Sequence, residues 1–181
     1  DPRVFGALPT AGDLDRLITG EMSEAVDMQD VLDRSRVIGS EQAFLIGVRV
    51  LSGAINASQA GGAYALLAER LIEALQGAVE SELVRAHGEV PDGAAVVLAM
   101  GKLGGREMTA NSDLDLIVVY DFDADAVQTT GARPLSPPGF YTRLTQRLIN
   151  ALSAPTAGAR CGAARGGAGG ELAGRDPAEV V

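Results

Sequence analysis

The sequence predicts an α+β protein in which a helical bundle precedes a small mixed β-sheet that is incomplete toward the C-terminus. Three observations predict it. Apolar residues recur at three- and four-residue spacing from Asp13 to Gly88, the period of helices with one buried face. Behind the turn signal Pro91-Asp92-Gly93 the pattern changes to two short β-prone runs that flank a glycine-rich turn. Residues 157–181 then hold seven glycines and seven alanines with only Leu172, Val180 and Val181 as bulky aliphatics, too few to fill a core. The expected organisation is a helical region over 1–90, a partial second domain over 91–156 and a disordered Gly/Ala-rich tail over 157–181.

Taken in order, Asp27 caps a helix carrying Met28, Val31 and Leu32, and Gly39-Ser40 is expected to end it. Ser40 then caps a helix whose stripe is Phe44, Leu45, Val48 and Leu51, widened by Ile46 and Val50. Asn56 or Ser58 opens the longest element, where Leu67, Leu71, Leu75, Val79 and Leu83 recur every four residues beside Tyr64 and Ile72. Gly88 stops it. Gly61, Gly62 and Gly77 weaken its interior, each by ~1 kcal/mol relative to alanine. Ala94 to Met100 reads as a buried strand, Gly101 to Gly105 as a turn, and Leu114 to Tyr120 as a second strand. An acidic, proline-marked loop from Asp121 to Pro138 leads to a helix with Tyr141, Leu144, Leu148, Ile149 and Leu152 on one face, ended by Pro155.

Composition narrows the function classes. With 24 acidic against 15 basic residues the formal charge is -9, the wrong sign for a chain that wraps nucleic acid. No apolar run reaches the ~18 residues that a membrane helix needs, so no membrane partner is expected. A single cysteine, Cys161, forms no internal disulfide, and the cytoplasm is the expected compartment. A chain opening on Asp1 reads as a fragment or a processed product.

The chemistry concentrates between Gly101 and Leu116. Glycines 101, 104 and 105 free the backbone to turn tightly and bring N–H groups near an anion, and a helix starting there adds its positive end. Asp113 and Asp115, two apart in an expected strand, send both carboxylates from one face about 6 to 7 Å apart. Two carboxylates aimed at one point repel unless a proton or a divalent ion separates them, and magnesium prefers a few carboxylates plus phosphate oxygens. A metal-nucleotide site is the economical explanation, with Asp113 and Asp115 as metal ligands and catalytic residues. Gly101, Lys102, Gly104, Gly105 and Ser112 are the candidate nucleotide and phosphate contacts. Lys102 is the only lysine beside 14 arginines.

The glycine turn, Ser112 and the Asp113-Leu114-Asp115 strand resemble the nucleotidyltransferase superfamily that includes polymerase beta. The run Gly101-Lys102-Leu103-Gly104-Gly105-Arg106-Glu107-Met108-Thr109-Ala110-Asn111-Ser112-Asp113-Leu114-Asp115-Leu116 resembles, more narrowly, the glutamine synthetase adenylyltransferase family. The helices from Asp27 to Gly88 and from Tyr141 to Leu148 are similar to that family's surroundings, so the resemblance covers about residues 1–156. It implies a polymerase-beta-like fold over 91–156, Mg²⁺ (with Mn²⁺ as the alternative ion) and ATP as substrate. It also implies transfer of AMP to a tyrosine of glutamine synthetase in nitrogen regulation, and a PII-type regulatory protein as a partner of the full-length enzyme. Two such modules occur in the family, and the Met108-Thr109 wording is closer to the carboxy-terminal, adenylylating one. The alternatives are a uridylyltransferase of the PII type, against which Lys102-Leu103-Gly104 argues, and a non-catalytic nucleotide- or partner-binding remnant.

In that family a third carboxylate follows on a later strand, which the resemblance would start within a few residues of Thr156. The sequence there runs Gly158-Ala159-Arg160-Cys161-Gly162 instead, so the site reads as incomplete, this chain by itself is expected to be inactive, and 157–181 reads as an out-of-frame translation, with a natural flexible linker as the alternative. Asp121 is no easy substitute, because six residues of strand put it ~20 Å from Asp115. Of the remaining candidates, His87 at a helix end and Asp121, Asp123 and Asp125 as a solvated acidic turn read as structural, while Arg106 and Glu107 read either as a surface pair near a helix start or as residues that position substrate.

Overall fold

The computed structural model describes residues 6–153; the tail assigned to 157–181 and the helix stop at Pro155 lie outside them. Helix α1, Ala11–Ser23, begins at a capping box in which Thr10 Oγ1 accepts the Asp13 N–H and the Asp13 carboxylate accepts the Thr10 N–H. These bonds from Thr10, with Arg16 at 2.6 Å, hold the Asp13 carboxyl down at about 2. A carboxyl depressed in the folded state adds stability above its unfolded value and loses it as pH falls through the folded one, here between about 4 and about 2. Titration of Asp13 by NMR should show a midpoint near 2, and Thr10→Ala should move that midpoint back up toward the usual carboxylate range while costing α1 about 1 kcal/mol.

Helix α2 runs without interruption from Met28 to Leu51, capped by Asp27, whose Oδ1 accepts the Asp30 N–H. The expected break at Gly39-Ser40 is absent. A Cβ on Gly39 would stand 3.1 Å from Leu71 Cδ1, so this glycine serves a close helix crossing rather than a helix end. The expected stripe also shifts. Ile38, Leu45 and Ile46 are buried, whereas Phe44, Val50 and Leu51 face solvent, because a segment apolar nearly all round leaves its buried side to the packing.

Helix α3, Ala57–His87, opens at Asn56 in a capping box with Gln59 and ends at Gly88, as the sequence indicates. It is the spine of the molecule. Its Ala60 and Leu67 pack with Leu14, Ile18, Ile38 and Ile46; Ala65 and Ile72 with Leu103 and Met108; Leu75 with Leu148 and Ala151; Val79 and Leu83 with Phe140, Tyr141 and Leu144. Helix α1, α2, the sheet and the last helix therefore share one support.

Strands β1, Ala94–Ala99, and β2, Leu116–Asp121, form an antiparallel pair in the register Ala94↔Asp121 to Ala99↔Leu116. The fold class is thus α+β, a helical bundle with a small open sheet. The sheet packs one face on α3, where Gln76 Nε2 donates to the Ala95 carbonyl at 3.1 Å. Strand β1 is not buried on both sides as its unbroken apolar run suggests: it alternates, leaving Val96 and Leu98 half-exposed opposite Val119 and Ile117. Between the strands lies a single helical turn, α4, Gly101–Gly104. Helix α5, Pro137–Ser153, buries Phe140, Tyr141, Leu144, Leu148 and Ala151 but turns Ile149 to solvent. Among the described residues no helix is long and apolar enough to cross a membrane.

Candidate functional site

The site is built where β1 ends, turns through α4 and returns to β2. The Met100 N–H donates to the Asp115 carbonyl at 2.9 Å, which carries the ladder one step past the strand ends. Asp113 and Asp115 accordingly stand in the irregular segment before β2, not inside the strand, whose first residue is Leu116. Their side chains are exposed, and among the described residues neither carboxylate has a cation or a donor as partner.

Gly101 adopts φ +51, in the left-handed region, and a Cβ there would collide with Asp115 Oδ2. The Asp115 carboxylate therefore lies directly over the bare Cα that starts α4. The first bond of that turn runs from the Gly104 N–H to the Met100 carbonyl at 3.0 Å, and the next from Gly105 to Gly101 at 3.0 Å. Gly101, Lys102 and Leu103 thus keep their N–H groups clear of the turn's own bonds, while those of Gly104 and Gly105 are engaged within it. Gly104 has a steric role instead: its Cβ would stand 2.6 Å from the Ala99 carbonyl oxygen. Lys102 is exposed on the turn, and Leu103 beneath it is buried against α3.

Ser112 closes a second turn. Its Oγ accepts the Thr109 N–H at 2.9 Å and lies 3.0 Å from Thr109 Oγ1, and its own N–H donates to the Thr109 carbonyl at 3.2 Å. The hydroxyl so fixes the approach of the chain to Asp113. Arg106 does not pair with Glu107 as a surface couple. Its Nη2 donates to both oxygens of Glu69 on α3, at 2.9 and 2.8 Å, from a backbone at φ +57. A non-glycine residue in that region costs on the order of 1 kcal/mol, comparable to what an exposed ion pair returns. Gly61, two turns earlier on α3, lets the same loop lie close: a Cβ there would stand 3.2 Å from the Arg106 carbonyl oxygen. Sequence reasoning missed Glu69 and Gly61 as supports of the site. The one signal was the cost of a Gly61-Gly62 pair inside a helix.

Candidates elsewhere are structural. His87 Nδ1 donates to the Arg133 carbonyl at 2.7 Å while its Nε2 accepts from Arg143 at 3.5 Å. Asp123 accepts the Asp125 N–H two residues on, and Asp121, at the end of β2, accepts the N–H of the next residue, Phe122. No group of three or more histidine, cysteine, aspartate or glutamate side chains gathers for a metal among the described residues. Asp113 and Asp115 remain a pair. Two exposed carboxylates with no competing cation are the oxygen-donor chemistry that a hard divalent ion takes, and the missing Cβ of Gly101 makes room for that of Asp115.

Residues 7–161 match the family model described as glutamate-ammonia ligase adenylyltransferase. Among curated relatives, the bifunctional glutamine synthetase adenylyltransferase/adenylyl-removing enzyme of Brucella suis is 50% identical over 157 residues. The enzymes of the same name from Agrobacterium fabrum and Xanthobacter autotrophicus are 49% and 50% identical over 157 residues. These matches take in 87%, 87% and 86% of this chain but 16% of each relative's length. On a match that covers most of its residues, the chain belongs to the glutamate-ammonia ligase adenylyltransferase family.

Proposed function

We propose that Gly101 to Leu116 is the metal- and nucleotide-binding edge of an adenylylating module, which in the whole protein transfers AMP from ATP to a tyrosine of glutamine synthetase. The observation that carries the reading is the seat of the Asp115 carboxylate over the bare Cα of Gly101, beside the unbonded first N–H groups of α4. Asp113 and Asp115 would hold Mg²⁺, or Mn²⁺, and a divalent ion there neutralises charge on the triphosphate oxygens. The N–H groups of Gly101, Lys102 and Leu103, free of bonds within the turn, and the Lys102 ammonium would serve the same anion, and Ser112 keeps the approach of Asp113 fixed. Glutamine synthetase as protein substrate and a PII-type regulator as partner belong to the same proposal. The adenylylating direction rests on the Met108-Thr109 wording.

Isothermal titration with Mg·ATP should give measurable binding to the chain and a loss of about 100-fold in the Asp113→Asn, Asp115→Asn double variant. Equal affinities would sink the assignment. The second reading is nucleotide binding without turnover, since the sequence after Thr156 lacks the acidic strand that the family resemblance implies. Labelled-ATP transfer to glutamine synthetase separates the two, since robust transfer by the 181-residue chain rules the second one out.

A further inference from the structure

The glycine turn is fastened to α3 at three points. Leu103 and Met108 are buried in one cluster with Ala65 and Ile72, and the Arg106 carbonyl rests against the bare Cα of Gly61. The third is the Arg106 to Glu69 pair, the one fastening made by charge. Both side chains are partly exposed, so as an ion pair it contributes little to stability. Yet it holds Arg106 at φ +57, the residue where the chain leaves α4, and the next N–H, that of Glu107, returns to the Lys102 carbonyl at 2.9 Å. A small movement of Arg106 is therefore transmitted directly to Lys102 and Gly101. Gly101 stands against Asp115, where an error near 1 Å in the gap between turn and carboxylate matters far more than the energy of the pair.

We infer that Glu69, acting through Arg106, is a positioning residue that sets the distance between the Gly101–Gly105 turn and Asp115 for binding of a metal-bound nucleoside triphosphate. The inference rests on the metal-nucleotide reading above. Arg106 is engaged through its Nη2 by both oxygens of Glu69, and in this inference it acts as a support of the turn rather than as a phosphate ligand.

The test uses the 181-residue chain, Mg·ATP as probe, and amide hydrogen exchange without ligand as a second readout. Glu69→Gln and Arg106→Gln should each weaken Mg·ATP binding by about tenfold while shifting Tm by only a few degrees. Their combination should weaken it no further than either alone. The charge swap Glu69→Arg with Arg106→Glu should recover most of the loss, which a purely local effect of either side chain would not allow. Exchange should rise at Gly101 to Glu107 in Glu69→Gln and stay unchanged at the far end of α3.

Unchanged affinity and unchanged exchange in Glu69→Gln would overturn the inference. Tighter binding in Glu69→Gln would overturn it too, by showing that Arg106, once released, contacts phosphate itself. Failure of the metal-nucleotide reading is distinct, because the wild-type chain would then show no difference from the Asp113→Asn, Asp115→Asn variant before any change at residue 69. The positioning role falls in that case as well, and a rise in exchange alone would mark the pair as a structural fastening.

Discussion

Replacing Gly101 by alanine should leave the fold standing and weaken Mg·ATP binding by about 100-fold, a larger effect than any other single glycine change in the turn. Two terms act at this position. The left-handed φ of +51 costs an L-residue roughly 1 to 2 kcal/mol, a tolerable loss for a domain. The new methyl group meets Asp115 Oδ2, which is the free end of a side chain and can rotate away cheaply. Rotation is what the site cannot tolerate, since it takes the carboxylate off the turn. Gly104→Ala is the contrasting variant. Its methyl group meets the Ala99 carbonyl, which belongs to the β1 backbone, so relief requires the strand end to move and the loss appears in stability. Titration calorimetry beside thermal melts separates the two, and a Gly101→Ala protein that binds Mg·ATP like the wild type would show that Asp115 takes no part in binding.

What the sequence made legible follows from how specific each residue's physical role is. Asn56 and Gly88 mark the ends of α3 because a side-chain acceptor and a left-handed φ are demanded at those positions and few residues supply them. The motif singles out Asp113, Asp115 and the glycine turn by residue type and spacing, and of the two carboxylates the structure brings Asp115 against Gly101. Gly39 was not readable. A glycine that ends a helix and one that admits a neighbouring helix look alike in one dimension, and only Leu71 at 3.1 Å from the missing Cβ separates them. The uncovered face of β1 escaped for a related reason, since a run of valine, leucine and alanine looks the same whether one side or both are packed.

The support of the site was the least accessible feature. Glu69 and Arg106 are 37 residues apart and belong to different elements, so no period or local motif connects them. Their meeting depends on the loop lying close against α3, which Gly61 allows. Candidate chemistry is suggested by residue type, whereas residues that fasten the turn to α3 are ordinary in type and acquire that role only from position.

The largest effect on stability is expected at the other end of α3. Gly88 stands at φ +79, and a Cβ there would meet the backbone of Gly131, with the Gly131 Cα and the Thr130 carbonyl carbon each 2.7 Å away. The crossing is bonded on both sides: the Gly131 N–H donates to the His87 carbonyl at 3.0 Å, the Thr130 N–H to the Glu89 carbonyl at 3.0 Å, and the Glu89 N–H to Thr130 Oγ1 at 3.1 Å. Buried Thr129 adds its hydroxyl, donating to the His87 carbonyl at 2.6 Å and accepting the Leu135 N–H at 3.0 Å. No flexible side chain is available to yield, so Gly88→Ala must push the crossing backbone segments away from each other and give up several of these bonds as well as accept the strained φ. A loss of about 3 kcal/mol or more in ΔG of unfolding is expected, read as a lower urea midpoint. Gly77→Ala supplies the control with the opposite sign, because nothing lies within 4 Å of a Cβ at that mid-helix position and alanine should stabilise α3 by up to about 1 kcal/mol. If both variants unfolded at the wild-type midpoint, the close crossing of residues 87–89 with 129–131 would not be a feature of the protein in solution.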